Sequence, residues 1–556
     1  MKSNAEIRSE EEIVHEVETV PGTELLFDSD GPSSQLYGHL QHIERKGRRI
    51  LLVPQPSRTD PNDPLSWSRM KKGIIFANAC LYSFLGGVTG PIIAAGVLQL
   101  TQQYNASFQK VNIAVAANLI CTGVGCFYWM PFFAKFGRRP TYLITTVLMC
   151  ACLIWQGFAT RGSYTSFLVA RVVMGLGQSP IYSIAPTTIA DIYFLHHQGA
   201  KIAFYGLSVL LAAQIGPMLS SFIIQSLGPA WSFWILAMCL GANMLTLIFA
   251  MPETMYYGDR AAIVPAEAKS GSEHVEDVGA VHTVEKRSYM SELSLWPGGN
   301  PDVDLRAIFF RPFLYCLNPI VIWASLVYGM SFISLTTLAA TAAQIFGLEP
   351  YNFDSIDQGL VFLSPFVGSL TATFFCSYVV DKIVNYSAQR NGGVREPEMR
   401  LFSLLVAAGI TAVGSVIVAL CLHYRVHYMG PIVGFGIITV SNQIGANMGM
   451  SYPLDCYPKH SAEVMVSVTF LRSVVTYIWN WFINDWLEAC GPLIVFLSMG
   501  AIQIAIQLSC LGFLKWGKRL RVALFKRHIL GAWVLEYCSH ESSLVTGASV
   551  VYGGSR

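Results

Sequence analysis

Apolar residues in this chain gather into blocks of about twenty, separated by short polar breaks. A bilayer core about 30 Å thick is crossed by roughly 20 residues at 1.5 Å rise per residue. Twelve blocks meet that length, at 73–98, 111–133, 140–160, 165–190, 203–226, 231–251, 313–336, 358–380, 401–421, 429–451, 464–484 and 492–514. The pattern predicts an all-α polytopic membrane protein with twelve transmembrane helices.

A polar stretch rich in Glu, Ala, Gly and Ser, 252–311, has no strong hydrophobic period and splits the spans six and six. It reads as a flexible linker between an N-terminal six-helix bundle, 73–251, and a C-terminal one, 312–514. The tails are 1–72 and 515–556. Two bundles joined by a long central loop is the layout of carriers that rock around a midplane site. No cleavable signal is expected, because the first 50 residues lack an apolar core.

Charge sets the orientation. Loops on the side of the termini carry nine bases: Lys135, Arg138, Arg139, Lys201, Lys382, Arg390, Arg395, Arg400 and Lys459. The other side carries only Lys110, Arg161 and Arg425. The positive-inside rule therefore predicts cytosolic termini. Met1 to Asp30 holds nine acids and reads as disordered, whereas the eight bases between Glu44 and Lys72 suit lipid headgroups.

The composition, 53% hydrophobic and only 13% charged over 556 residues, excludes a soluble enzyme. The thirteen cysteines lie mostly within apolar runs, among them Cys80, Cys121, Cys126, Cys239, Cys316 and Cys376, without C-x-x-C spacing. Neither a Walker motif nor a catalytic cluster is present, and His196-His197 lacks a companion acid motif. No enzyme activity, cofactor, metal or nucleic-acid partner is expected.

Several motifs resemble the major facilitator superfamily, and in particular a fungal twelve-span branch that includes drug:proton antiporters. "AKFGRRPTYL" after the second span is similar to half of the inner-loop signature, with Gly137 at the turn and Arg138 and Arg139 facing the cytosol; Ala134 stands where the family has an acid. "RVVMGLG" supplies Arg171, Gly175 and Gly177 in the register of the fourth-span motif, with Met174 in place of glutamine. "QIGPMLSS" keeps Gly216 and Pro217 of the antiporter signature, followed by Ser220 and Ser221. "DPNDPLSWSRMKK", "MPETMYY", "RNGGVREPEMRL" and "WGKRLR" extend the resemblance from Asp60 to Arg521.

The resemblance implies a fold of two six-helix bundles, a proton gradient as energy source, a monomer in the plasma membrane, and a cavity lined by spans one, four, seven and ten. It gives Arg171 a conformational or proton-linked role. Gly137, Arg138, Arg139, Gly175, Gly216 and Pro217 would govern helix contact and motion.

Within the twelve blocks the only charged residues are Arg171 and Arg472. A charge at this depth costs about 2.5 kcal/mol or more, so each must face a cavity, a partner or a carbonyl. Arg472 meets either an acceptor on the substrate or a neighbouring helix. Asp191 and Asp381 end the fourth and eighth spans, where they either gate the cavity or stand solvated. Candidate cavity residues are Asn78, Tyr82, Asn118, Gln178, Tyr182, Gln214, Trp323, Tyr328, Asn442, Asn447, Tyr477 and Asn480, each with helix-to-helix bonding as its alternative.

With no buried acid, a neutral, amphipathic or weakly acidic small molecule suits the site better than a polyamine. The expected function is proton-coupled efflux of a small hydrophobic or amphipathic compound. Import of a nutrient and a non-transporting sensor on the same fold are the alternatives. The Pro252-Glu253-Thr254 triplet is similar to sugar carriers, but those repeat the GRR motif where this chain has "DKIVNYSAQRNGG". Asn105-Ala106-Ser107 is a glycosylation sequon in the first outer loop, whereas Asn385-Tyr386-Ser387 falls on the cytosolic side.

Overall fold

The computed structural model of the protein describes residues 24–25, 42–45, 48–51, 56–57, 60–256, 289–294, 305–390, 394–457 and 460–526. Most of the N-terminal tail, most of the central linker and the C-terminal tail beyond 526 lie outside the described residues.

The spans are Arg69–Tyr104, Phe108–Phe136, Arg138–Ala159, Tyr164–Ile192, Leu195–Leu227 and Pro229–Ala250, then Pro319–Phe346, Ser355–Val384, Pro397–His423, Met429–Cys456, Ser461–Asn480 and Ile483–Leu524. All but the tenth are apolar enough to cross a membrane by composition alone. The tenth, Met429–Cys456, has 28 residues and packs against the seventh, eighth and ninth spans. Its polarity, from Asn442, Gln443 and Asn447, belongs to a helix whose polar groups meet other helices and a cavity rather than lipid.

The first six spans share one core that includes Tyr82, Phe133, Phe167, Met174 and Phe233. The last six build around Leu338, Phe346, Phe362 and Phe496 near one face and Trp323, Leu401 and Tyr452 near the other. Lys71 reaches Glu292 of the linker at 2.6 Å, which puts the start of the first span and the linker on one face of the molecule.

Two spans break where proline removes a backbone donor. The first runs helically to Val88 and continues as a 3-10 segment, Pro91–Gly96; the fourth breaks after Gln178 at Ser179–Tyr182, which contains Pro180. Pro217, by contrast, sits inside the continuous helix Leu195–Leu227. Gly491, with φ 77°, turns the chain inside Ile483–Leu524, so Ile483–Cys490 is a separate helical piece ahead of the rest of the twelfth span.

Three expectations shift. The linker is not structureless up to residue 311: Leu305–Tyr315 is a helix packed on the second and eleventh spans, and the seventh span begins at Pro319 rather than 313. Its aromatic residues explain the packing, since Phe313 stacks on Phe127 at 4.1 Å and Phe309 lies 5.9 Å from Tyr128. Within the stretch expected to be disordered, Glu24–Leu25 pairs antiparallel with Val394–Arg395; beyond it, a second short ladder joins His42–Arg45 to Arg48–Leu51.

Candidate substrate cavity

A cavity lies between the bundles, lined by the first, second, fourth, fifth, seventh, tenth and eleventh spans. Its space, counted out to the open mouth, is about 1280 Å³. Spans two, five and eleven join the four that the resemblance implied. Of the candidate residues, Gln178, Tyr182, Tyr328 and Asn447 line it, together with Asn112, Tyr205, Phe332, Thr336, Met450, Met465 and Thr469. No Asp, Glu, Lys, Arg or His is among the lining residues.

The end away from the linker is tied shut across the bundles. Asn112 donates its amide to the Asn480 carbonyl at 2.9 Å, Gln109 bonds the Asn480 and Trp481 carbonyls, and Gln99 donates to Ser355 at 3.2 Å. Toward the linker face the lining reaches Met465, one turn from the start of the eleventh span.

Other candidates turn out to hold helices together. Tyr82 bonds Thr145 at 2.8 Å and packs edge-on to Tyr142 in the first bundle's core. Trp323 donates to Ser509 at 2.7 Å and stacks on Phe513 at 4.1 Å. Asn442 accepts from Gln503, which in turn accepts from Ser334, each at 2.8 Å. Gln214 bridges to Ser369 of the other bundle at 2.9 Å. Asn118 donates to the Arg171 carbonyl at 3.2 Å, and Asn480 belongs to the sealed end. Asn78 is buried outside the lining, and Tyr477 lies beside Trp481 rather than in the cavity. The spacing of polar residues could not separate these positions, because a helical residue on a bundle seam and one on a cavity wall read alike in sequence.

The two span arginines are held differently. Arg171 donates to the carbonyls of Thr89 and Gly90 at 2.9 and 3.1 Å. Those carbonyls are freed where the first span breaks before Pro91, so the guanidinium caps a half-helix from the fourth span. Arg472, near the middle of the eleventh span, is 1% exposed and has its guanidinium 4.7 Å from the Tyr182 ring, 4.9 Å from Tyr328 and 4.3 Å from Phe332. Three contacts of about 0.5–2 kcal/mol each match the ~2.5–3.5 kcal/mol penalty of a central arginine.

At the linker face, Glu253 binds the start of the third span. Its carboxylate accepts from the backbone N–H groups of Arg138, Arg139, Thr254 and Met255 at 2.9 to 3.0 Å. Burial pushes the Glu253 carboxyl up, while these donors and the Arg138 charge pull it down. A Cβ on Gly137, whose φ is 101°, would come within 2.4 Å of that carboxylate. Arg139 donates to the carbonyls of Ile248 and Met251, closing the end of the sixth span. Arg138 pairs with Asp191 at 3.1 Å, inside the first bundle. Ala134 thus leaves the arginine an acid from the fourth span. Asp381 begins the helix Asp381–Arg390, and its side chain is outside the described residues.

Gly216 faces the first span: a Cβ there would touch Val88 at 3.1 Å, while the carbonyl of Pro217 lies beside Gly359. Ser220, in place of the signature's glycine, donates to the Ile92 carbonyl at 2.6 Å. Gly175 lets the fourth span cross the second, with Asn118 O only 2.5 Å from where its Cβ would be.

A family model described as Major Facilitator Superfamily matches residues 75–479, from the first span through the eleventh. The chain belongs to the Major Facilitator Superfamily. It is a multi-pass membrane transporter and not an enzyme. This superfamily member is 23% identical over 553 residues to an uncharacterised MFS-type transporter of Schizosaccharomyces pombe, covering 91% of this chain and 93% of the relative. It is 23% identical over 445 residues to a probable efflux pump of Aspergillus flavus, covering 77% and 98%. The partially occluded inward-open structure of the xylose transporter XylE from E. coli shares the fold, with TM-score 0.56 and 14% identity, over 80% of this chain and 98% of that one.

Proposed function

We propose that this superfamily member is a proton-coupled exporter of a small hydrophobic or amphipathic organic compound, such as a secondary metabolite, toxin or drug. It works as a monomer in the plasma membrane with both termini in the cytosol. The observation that carries the reading is the cavity itself: aromatic and aliphatic walls, a few amides and hydroxyls, and no carboxylate in the lining to hold a cation. The retained Gly216-Pro217 pair, with Gly216 packed on the first span, and the name of the Aspergillus flavus relative support export.

With the linker face cytosolic, the cavity is sealed outside and reaches toward the cytosol, the side from which an exporter loads. Proton coupling then falls to acids at that face, Asp191 beside Arg138 and the half-buried Glu253. Asn105, exposed at the opposite face, is extracellular in this orientation and open to a glycan.

Untargeted metabolite profiling of cells and medium, comparing the native host with a strain lacking this gene, tests the reading. A compound trapped inside the mutant and depleted from its medium supports export and names the cargo. A medium compound left unconsumed, with its cellular level reduced, replaces export with import.

A further inference from the structure

Arg472 is a buried charge just behind the wall of this cavity. Its neighbour in kind, Arg171, is held by two backbone carbonyls. Arg472 has a long bond to the Tyr328 hydroxyl, at 3.4 Å, a hydrogen bond with the Tyr182 side chain, and three ring faces; its Nε has no hydrogen-bond partner. No acid is among the groups that act on it. All three rings that cover it also line the cavity.

The cover is divided between the bundles. Arg472, Tyr328 and Phe332 belong to the second bundle, and Tyr182 to the first, at the broken part of the fourth span. A rigid rotation of one bundle against the other carries Tyr182 away from Arg472 and leaves the other two rings in place. A buried guanidinium stripped of one ring face needs a new partner, and a planar carboxylate matches its fork of donors.

We propose that Arg472 is a latent anion site, which takes the single carboxylate of an amphipathic organic acid when bundle motion withdraws Tyr182, and from which Tyr182 displaces the cargo on return. This rests on the transporter reading and narrows its substrate class to organic monoanions with an apolar body. One arginine without a second base fixes the charge at one, and the apolar walls accept the rest of the molecule. The exchange also keeps the charge covered in the empty carrier, whose return would otherwise drag a bare guanidinium through an apolar cavity.

The test uses the full chain in nanodiscs with two radiolabelled probes, 2-naphthoate and its uncharged analogue 2-naphthamide, measured by equilibrium dialysis. The acid is expected to bind about tenfold tighter than the amide, as a charge-assisted hydrogen-bonded pair requires. Arg472→Gln removes the difference and Arg472→Lys keeps part of it. Tyr182→Ala, which removes the competing ring, tightens naphthoate about fivefold and leaves naphthamide unchanged or weaker. That gain cannot come from misfolding, so it decides the matter even where Arg472→Gln fails to fold.

Equal binding of acid and amide, absence of naphthoate binding, an acid preference that survives Arg472→Gln, or no gain in Tyr182→Ala overturns the proposal. Counterflow in proteoliposomes separates the two levels. Naphthoate bound through Arg472 but never moved removes the transport reading and keeps the site. Naphthamide and naphthoate moved alike removes the site and keeps transport.

Discussion

Gly175 shows how much the fold asks of single positions. The fourth span crosses the second so closely that a Cβ here would lie 2.5 Å from the Asn118 carbonyl oxygen and 2.8 Å from the Cys121 Cβ. Backbone cannot yield as a flexible side chain can. Gly175→Ala should therefore cost about 1–3 kcal/mol of stability, read as a lower unfolding temperature in detergent. Gly206, with open space around its Cβ position, is the matched control and should tolerate alanine. Glu253 makes the second case at this scale. Replacing it by glutamine removes the charge at the start of the third span and leaves one oxygen for donors that now share two. Glu253→Gln should lose about 1–3 kcal/mol, whereas Glu292→Gln, which removes only the partner of Lys71, should lose less than about 1 kcal/mol. Gly137, Arg138, Arg139 and Gly175 were legible in sequence because each belongs to a motif. Glu253 as their anchor was not, since 114 positions separate it from Arg139.

The tenth span carries the argument at the scale of an element. Its length made it legible as a spanning block, and its amides Asn442 and Asn447 made it a candidate for the cavity wall. What the pattern could not give was rotation about the axis. Asn442 points toward the twelfth span and Asn447 toward the cavity, although both are amides five residues apart on one helix. The distinction is testable. Asn442→Leu strands the Gln503 amide and should cost about 1–3 kcal/mol with cargo selectivity unchanged. Asn447→Leu should leave stability within about 0.5 kcal/mol and shift the relative transport of competing compounds. The same blindness to rotation placed Tyr82, Trp323 and Gln214 among cavity candidates, when their partners are Thr145, Ser509 and Ser369. The helix Leu305–Tyr315 escaped notice for a different reason: at eleven residues it is too short to span and was absorbed into the linker and the seventh block.

At the scale of the whole molecule, two bundles meet along a seam that is tied by hydrogen bonds at one end, with the cavity lining reaching toward the other. The ties are few and polar: Asn112 and Gln109 to Asn480 and Trp481, and Gln99 to Ser355. Bonds of about 0.5–1.5 kcal/mol each can be exchanged without unfolding either core. This arrangement suits a carrier whose two states differ by a rigid rocking of bundles around the cavity. The division into two halves was legible from the blocks and the polar linker; the state in which they are held was not, because it depends on pairings between residues hundreds of positions apart. Electron–electron distances between spin labels in a membrane test the rocking most directly, with one pair at exposed Gln103 and Leu348 on the sealed end and another at exposed Met70 and Tyr378 on the linker face. Across pH 5 to 8 the account predicts two populations, in which the first distance lengthens as the second shortens. Single, unchanging distances in both pairs, or both pairs lengthening together, would contradict it.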